Sequence, residues 1–263
     1  MYPDLPLAEA RRSYQWGTKI LEALVPEHAG PTAYVDMTTG NADEGSINGI
    51  ESRSAVRAGL SQALHVLDSH DFARVLTLGG ECSVSVAPFA HVAKPYGEEL
   101  AVVWIDSHPD SDTPKTDYDG WHAMAVSALL GHGDEELIGM LPATVPAERL
   151  VLAGVHDGEP DVLENIERWG LTALSPDDLR TSSDSLLAWL RSTGATKVAI
   201  HFDVDTIDSE EVGLGLGLVP GVLRTPEVAR LLRDIRAEFD VVGLTIAEFI
   251  PRNVIALNRI FDF

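Results

Sequence analysis

The stretch that decides the fold runs Leu100-Ala101-Val102-Val103-Trp104-Ile105 and then Asp106-Ser107-His108-Pro109-Asp110. The apolar half reads as a buried strand of the kind found in parallel sheets. The pattern recurs where Val198 to Phe202 runs into Asp203-Val204-Asp205. A buried strand that ends in carboxylates must neutralise them, because unpaired charge at low dielectric is costly; such groups are paired or hold a metal. Side-chain alternation places Asp106, His108 and Asp110 on one face, and likewise Asp203 and Asp205. Five hard or borderline ligands from two strand ends suit a two-metal centre.

Working outward, apolar runs alternate with helical patterns. Strands are expected around 33–37, 73–78, 100–105, 149–154, 198–204 and 241–246. Helices are expected near 17–25, 52–69, 121–131, 160–168, 184–193 and 225–237. Val56, Leu60, Ala63, Leu64 and Leu67 recur at helical spacing. Thr225 before Pro226 and Glu227 reads as an N-cap with proline at the first helical position. The alternation predicts a single α/β domain over residues 1–263, a three-layer α/β/α sandwich around a mostly parallel sheet. Sites in such sheets lie beyond the carboxyl ends of the strands. Polar groups follow four strands: Gly79-Gly80-Glu81-Cys82, Asp106 to Asp110, Asp203 to Asp205, and Glu248.

Composition sets the limits. The chain has 263 residues, 45% of them hydrophobic, enough for one large core. A net charge of −22 opposes nucleic-acid and anionic-membrane partners and tolerates a cationic substrate. No apolar stretch reaches membrane-spanning length, and Met1 to Trp16 lacks a signal-peptide pattern. The single cysteine, Cys82, rules out an intramolecular disulfide and fits a reducing compartment. A soluble, cytoplasmic protein is expected.

The polar blocks, taken in order, resemble the ureohydrolase superfamily: arginase, agmatinase, formimidoylglutamase and guanidinobutyrase-type enzymes. Gly79-Gly80-Glu81-Cys82-Ser83 is similar to the family's Gly-Gly-Asp-His-Ser. Asp106-Ser107-His108-Pro109-Asp110 is similar to Asp-Ala-His-x-Asp, and Gly120-Trp121-His122-Ala123-Met124 to Gly-x-His-Gly-Met. Phe202-Asp203-Val204-Asp205 with Asp208 resembles Phe-Asp-x-Asp-x-x-Asp-Pro, and Gly243 to Glu248 the Gly-x-x-x-x-Glu ending.

The resemblance implies a binuclear manganese hydrolase, with two Mn2+ per chain, that attacks the trigonal carbon of a linear guanidine or amidine with a metal-bridging hydroxide. Asp106 and Asp203 would bridge the metals, Asp110 would bind the first, and His108 and Asp205 the second. Asp110 would also orient the nucleophile, His122 would shuttle protons, and Glu248 would pair with the cationic amidine. The implied partner is a small guanidino or formimino substrate, and relatives commonly form homo-oligomers. The rival reading is a catalytically degenerate relative that binds one metal or none.

Departures from the family pattern sharpen the expectations. Cys82 stands where the family has a histidine ligand. As a thiolate ligand it would favour zinc or iron over manganese; as a packed thiol it would leave the first metal to Asp106, Asp110, Asp203 and water. Asp112 replaces an asparagine that in arginase meets the α-carboxylate. Asp112, Asp117 and Asp119 repel a carboxylate and favour an amine, whereas Lys115 would attract one. Asp157 and Glu159 match the family loop that contacts the substrate amine, or form a solvated turn. Gly213 to Pro220 is an apolar, glycine-spaced run in place of the family's Thr-Gly-Thr-Pro loop. No strand and glycine-rich loop precede Lys19, and about one short helix follows Glu248. Bland alternatives stand beside these roles: a hydrogen-bonded helix-start histidine for His122, a loop salt bridge for Glu248, and a core or pocket-wall aromatic for Trp121. His65, His70, His91, His132, His156 and His201 show no ligand spacing.

Overall fold

The computed structural model describes residues 7–26, 30–35, 45–70, 72–254 and 260. In chain order its elements are α1 (Leu7–Leu24), a hairpin of β1 (Ser46–Ile47) and β2 (Ile50–Glu51), α2 (Arg53–Asp68), β3 (Val75–Leu78), α3 (Val86–Tyr96), β4 (Leu100–Ile105), α4 (Ala125–Leu130), α5 (Glu135–Gly139) and β5 (Leu150–Ala153). There follow α6 (Pro160–Trp169), β6 (Thr172–Leu174), α7 (Pro176–Leu179), α8 (Asp184–Thr193), β7 (Lys197–Asp203), α9 (Thr225–Glu238) and β8 (Asp240–Ala247).

Strands β3 to β8 form one sheet in the order β3-β8-β7-β4-β5-β6, and every neighbouring pair is parallel. All six residues of β4 are buried, because alternate side chains enter different layers. Leu100, Val102 and Trp104 join a core built with α2, α3, α4 and α5. Ala101, Val103 and Ile105 join the opposite core, built with Leu21 of α1 and with α7, α8 and α9. Val228, Leu231, Leu232 and Ile235 form the buried stripe of α9 at helical spacing. The result is the expected three-layer sandwich.

The structure corrects several local expectations. No strand forms at residues 33–35, and 36–37 lie outside the described residues. The helix expected at 17–25 begins at Leu7. The N-cap of α9 is Arg224, whose backbone N–H donates to Glu227 at 2.8 Å, so Thr225 is already helical. Helix α3 escaped the sequence reading because it is apolar nearly all round, with Val86, Ala87, Phe89, Ala90, Val92 and Ala93 buried, which blurs helical periodicity. Strand β6 has three residues, too few to show a period.

Two close approaches position the site. A Cβ at Gly17 would collide with the Phe249 carbonyl, so α1 lies tight against the chain leaving β8. A Cβ at Gly217 would strike the Asp205 carboxylate, so the glycine-spaced run 213–220 closes over that residue.

Candidate metal centre

Strands β4 and β7 are the central pair of the sheet, and the chain continues from them in opposite directions, to β5 and to β8. The crevice at such a reversal, at the carboxyl edge, is where open α/β sheets bind ligands. Ile105 pairs with Phe202, and Phe202 with Ile246, so Asp106, Asp203 and Glu248 leave the sheet side by side.

The two aspartate motifs share one local geometry. Oδ1 of Asp106 accepts the His108 backbone N–H at 2.7 Å, and Oδ1 of Asp203 accepts that of Asp205 at 2.7 Å. Each carboxylate thus anchors the turn that follows it. Strand β4 ends at Ile105, so residues 106–110 converge through this turn and not through the strand alternation expected from the sequence. Asp110 and Glu248 have left-handed backbones, with φ of 46° and 61°. In non-glycine residues this stores about 1–3 kcal/mol of strain each and clusters at functional sites.

Two ligand groups result. Cys82, Asp106, His201 and Asp203 bring one donor atom each within 4.8 Å of one another, and so do Asp106, His108 and Asp205. Asp106 belongs to both. Cys82 Sγ donates to Asp203 Oδ2 at 3.0 Å and lies 3.8 Å from Asp106 Oδ2. His108 Nδ1 sits 3.2 Å from Asp205 Oδ2 and 3.6 Å from Asp106 Oδ1. Ser107 Oγ donates to Asp205 Oδ1 at 2.6 Å. Asp110 is 4% exposed, and its Oδ2 has no hydrogen-bond partner among the described residues.

These carboxylates pair with histidines, not with lysine or arginine, among the described residues. Burial first, then neighbouring carboxylates, push Asp110 and Asp203 well above the usual range. Burial pushes Glu248 up to about 8, although a hydrogen bond from Tyr14 works in the other direction. Burial and the same acids raise the Cys82 thiol, which is protonated without a metal. Burial opposes the charged form of Asp106, but His108 and His201 outweigh it and hold that carboxyl low. For His108, burial is outweighed by Asp106 and Asp205, which push it up to about 12. One histidine cation, His108, faces several buried acids, and a divalent cation would supply the positive charge that the cluster is short of.

The remaining candidates lie around this centre. His122 opens the short helical turn Trp121–Met124, and its Nε2 lies 3.2 Å from the Tyr118 hydroxyl. A Cβ at Gly120 would clash with both rings. Asp112 is buried; burial raises its pKa, and Thr116, Asp161, His122 and Glu159 all act on it. Asp119 anchors Glu51 through its backbone carbonyl and acts electrostatically on Tyr118. Asp157 and Glu159 are exposed, and Asp157 Oδ1 accepts its neighbour's N–H from Gly158. The backbone N–H groups of His156 and Asp157 nevertheless donate to the Ser107 carbonyl, which draws this loop to the rim. Trp121 belongs to the hydrophobic core.

Two residues at the candidate site escaped the sequence reading. Tyr14, on α1, donates its hydroxyl proton to Glu248 Oε2. No sequence signal links residues so far apart. His201, for which the sequence reading finds no ligand spacing, lies fully buried in one of the two candidate groups. Its signal was available: it precedes Asp203 by two positions on one strand and therefore shares its face. Other histidines pack elsewhere; His132 stacks on Trp169 and His70 on Phe72.

Comparison with known proteins bears on the family and the fold. The arginase family model matches residues 20–256. Arginase from Bacillus caldovelox is 30% identical over 201 residues, covering 70% of this chain and 62% of that protein. The chain spans about half the length of the first curated relatives it matches. The arginase of Entamoeba histolytica, solved with L-ornithine, superposes with a TM-score of 0.77 at 17% identity, covering 97% of this chain and 90% of that one. Formimidoylglutamase from Bacillus subtilis superposes with a TM-score of 0.69 at 19% identity, covering 90% and 71%. These structures share the fold, and the family match spans most of the chain: it belongs to the arginase family, within the ureohydrolase superfamily.

Proposed function

We propose that the chain, as one ureohydrolase-like domain over residues 1–263, is a metal-dependent hydrolase cleaving a non-peptide C–N bond in a linear guanidine or amidine. The observation that carries this reading is the crowding of buried acids at one sheet edge, balanced among the described residues by histidine alone. The proposed ligands are Asp106, His108, Asp110, Asp203, Asp205 and Cys82, for two ions, with Mn2+ as the family expectation. The orphaned Asp110 Oδ2 fits a further ligand or acceptor.

Divalent metal bound there supplies Lewis acidity and a strong nucleophile from water at neutral pH. Asp110, buried and fixed in a left-handed backbone, orients the attacking oxygen toward the trigonal carbon. Glu248 pairs with the cationic amidine, which competes with the Tyr14 hydroxyl for the same carboxylate. His122, beside Tyr118, passes a proton to the leaving amine. Addition of the water-derived oxygen would make the carbon tetrahedral; collapse would then break the bond to that nitrogen, which takes a proton originating from the same water, giving urea or an amide plus an amine or ammonia. Asp112, Asp119, Asp157 and Glu159 make the rim negative, favouring an amine or uncharged tail over an α-carboxylate.

The test is metal content on protein purified without chelator, followed by a screen of the manganese-loaded form for urea or ammonia release from guanidino and formimino compounds. Two ions per chain with turnover are expected. No metal and no turnover after loading would overturn the reading.

A further inference from the structure

His201 is the one histidine of the ligand groups that no role above employs. It sits on β7 with its side chain fully buried. Its ring stacks on Trp104 at 3.7 Å between centroids and 10° between planes, so its orientation is set. Nδ1 lies 2.7 Å from Ser85 Oγ. Nε2 has no hydrogen-bond partner among the described residues and points at Asp106 Oδ2, 3.7 Å away. An imidazole whose outer nitrogen is held by a hydroxyl and whose inner nitrogen is bare is the arrangement of a metal ligand with its supporting hydrogen bond.

We propose that His201 and Cys82 are both ligands of the inner metal, completing with Asp106 and Asp203 a site that prefers zinc or ferrous iron to manganese and leaves Asp110 to the attacking oxygen instead of the ion. This rests on the metal-centre reading above. The thiol is independent of the imidazole in sequence and comes from another element, the helical turn Cys82–Ser85, whose last residue, Ser85, also supports His201. Donors 2.0–2.3 Å from a tetrahedral ion lie about 3.3–3.8 Å apart. The Cys82–Asp203, Cys82–Asp106 and His201–Asp106 separations are 3.0, 3.8 and 3.7 Å, and all four donor atoms lie within 4.8 Å of one another. Shifts of about an ångström or less in side-chain position would close the site on an ion. One sulfur and one imidazole nitrogen against two carboxylates is a softer set than manganese prefers. On binding, the S–H bond breaks, a sulfur–metal bond forms, and the proton leaves to solvent. The outer group, Asp106, His108 and Asp205, keeps no sulfur and remains suited to a harder ion.

Cobalt(II) reports on the inner ligands without any assay of activity. Wild-type protein loaded with Co2+ is expected to show a sulfur-to-cobalt charge-transfer band in the near ultraviolet, absent in Cys82→Ser. X-ray absorption of zinc-loaded protein is expected to show one sulfur per inner ion and two imidazoles per pair of ions. His201→Gln should weaken zinc binding by at least about tenfold in a competition titration and remove one imidazole from that spectrum. Two ions bound with no sulfur band, or with zinc affinity unchanged in His201→Gln, would overturn this proposal while leaving the metal centre standing. No binding of zinc, cobalt or manganese would overturn the metal centre itself. The wild-type spectra decide the matter even where a variant fails to fold.

Discussion

Asp106 and Asp203 each commit one carboxylate oxygen to the backbone N–H two residues ahead and leave the other facing the cluster. Single side chains around them then have separable tasks. Asp110→Asn keeps the size of a buried, strained residue but replaces one carboxylate oxygen with an amide donor and removes the charge proposed to orient the nucleophile. It should cut turnover by about 10²–10⁴, with an unchanged circular dichroism spectrum; undiminished turnover would remove Asp110 from the mechanism. Gly217→Ala places a methyl against the Asp205 carboxylate. Metal affinity at the outer group should fall about 10–100-fold, as when a supporting contact to a ligand is lost. Calorimetric titration of the variant measures it, and wild-type affinity would mean the glycine run does not hold Asp205 in place.

At the scale of elements, helices and strands are joined by a few polar clamps away from the centre. Arg53, at the start of α2, donates to Asp134 at 2.8 and 2.9 Å and to Glu136 at 2.7 Å, while Asp134 caps the N-terminus of α5. The Arg53 hydrogen bond holds the Asp134 carboxyl below its usual range. A depressed carboxylate contributes stability above its unfolded pKa, about 3.9, and that contribution is lost as pH falls through the folded value. Arg53→Met should therefore cost about 1–2 kcal/mol near neutrality, more than an exposed ion pair because both partners are largely covered. It should also flatten the loss of stability on acidification. Urea unfolding at neutral and acid pH tests both, and equal slopes in wild type and variant would show that the clamp does not set the acid limb. The elements missed in the sequence failed for physical reasons. Helix α3 is buried nearly all round and so lacks an amphipathic stripe, and β6 is a three-residue edge strand with no fully buried residue. Helix α8, with its apolar stripe and a terminal Gly194 in the left-handed region, was legible over 184–193.

At the scale of the whole molecule, the sheet delivers several acids to one edge, where burial and mutual repulsion disfavour their charged forms, and a bound cation would stabilise the folded state. Removing metal with chelator should lower the melting temperature. Adding ions back at about 1,000 times their dissociation constant should restore about 4 kcal/mol. Differential scanning calorimetry with and without chelator measures this. An unchanged melting temperature would mean that the folded state satisfies its acids without metal. No helix among the described residues is long and apolar enough to cross a membrane.

The sequence by itself determined the α/β alternation, the strand ends and the acids of the centre, because each is a local signal: a buried apolar run followed by polar groups with nowhere to bury charge alone. Only the tertiary structure decided which side chains complete the site. Tyr14 reaches Glu248 because α1 packs against the exit of β8 through Gly17. His201 becomes a donor because Trp104 and Ser85, from β4 and from the turn before α3, fix its ring against Asp106. Asp112 feels both His122 and Glu159, which are distant from one another in the chain. Such contacts join residues distant in the chain, and their energies arise only when the layers close.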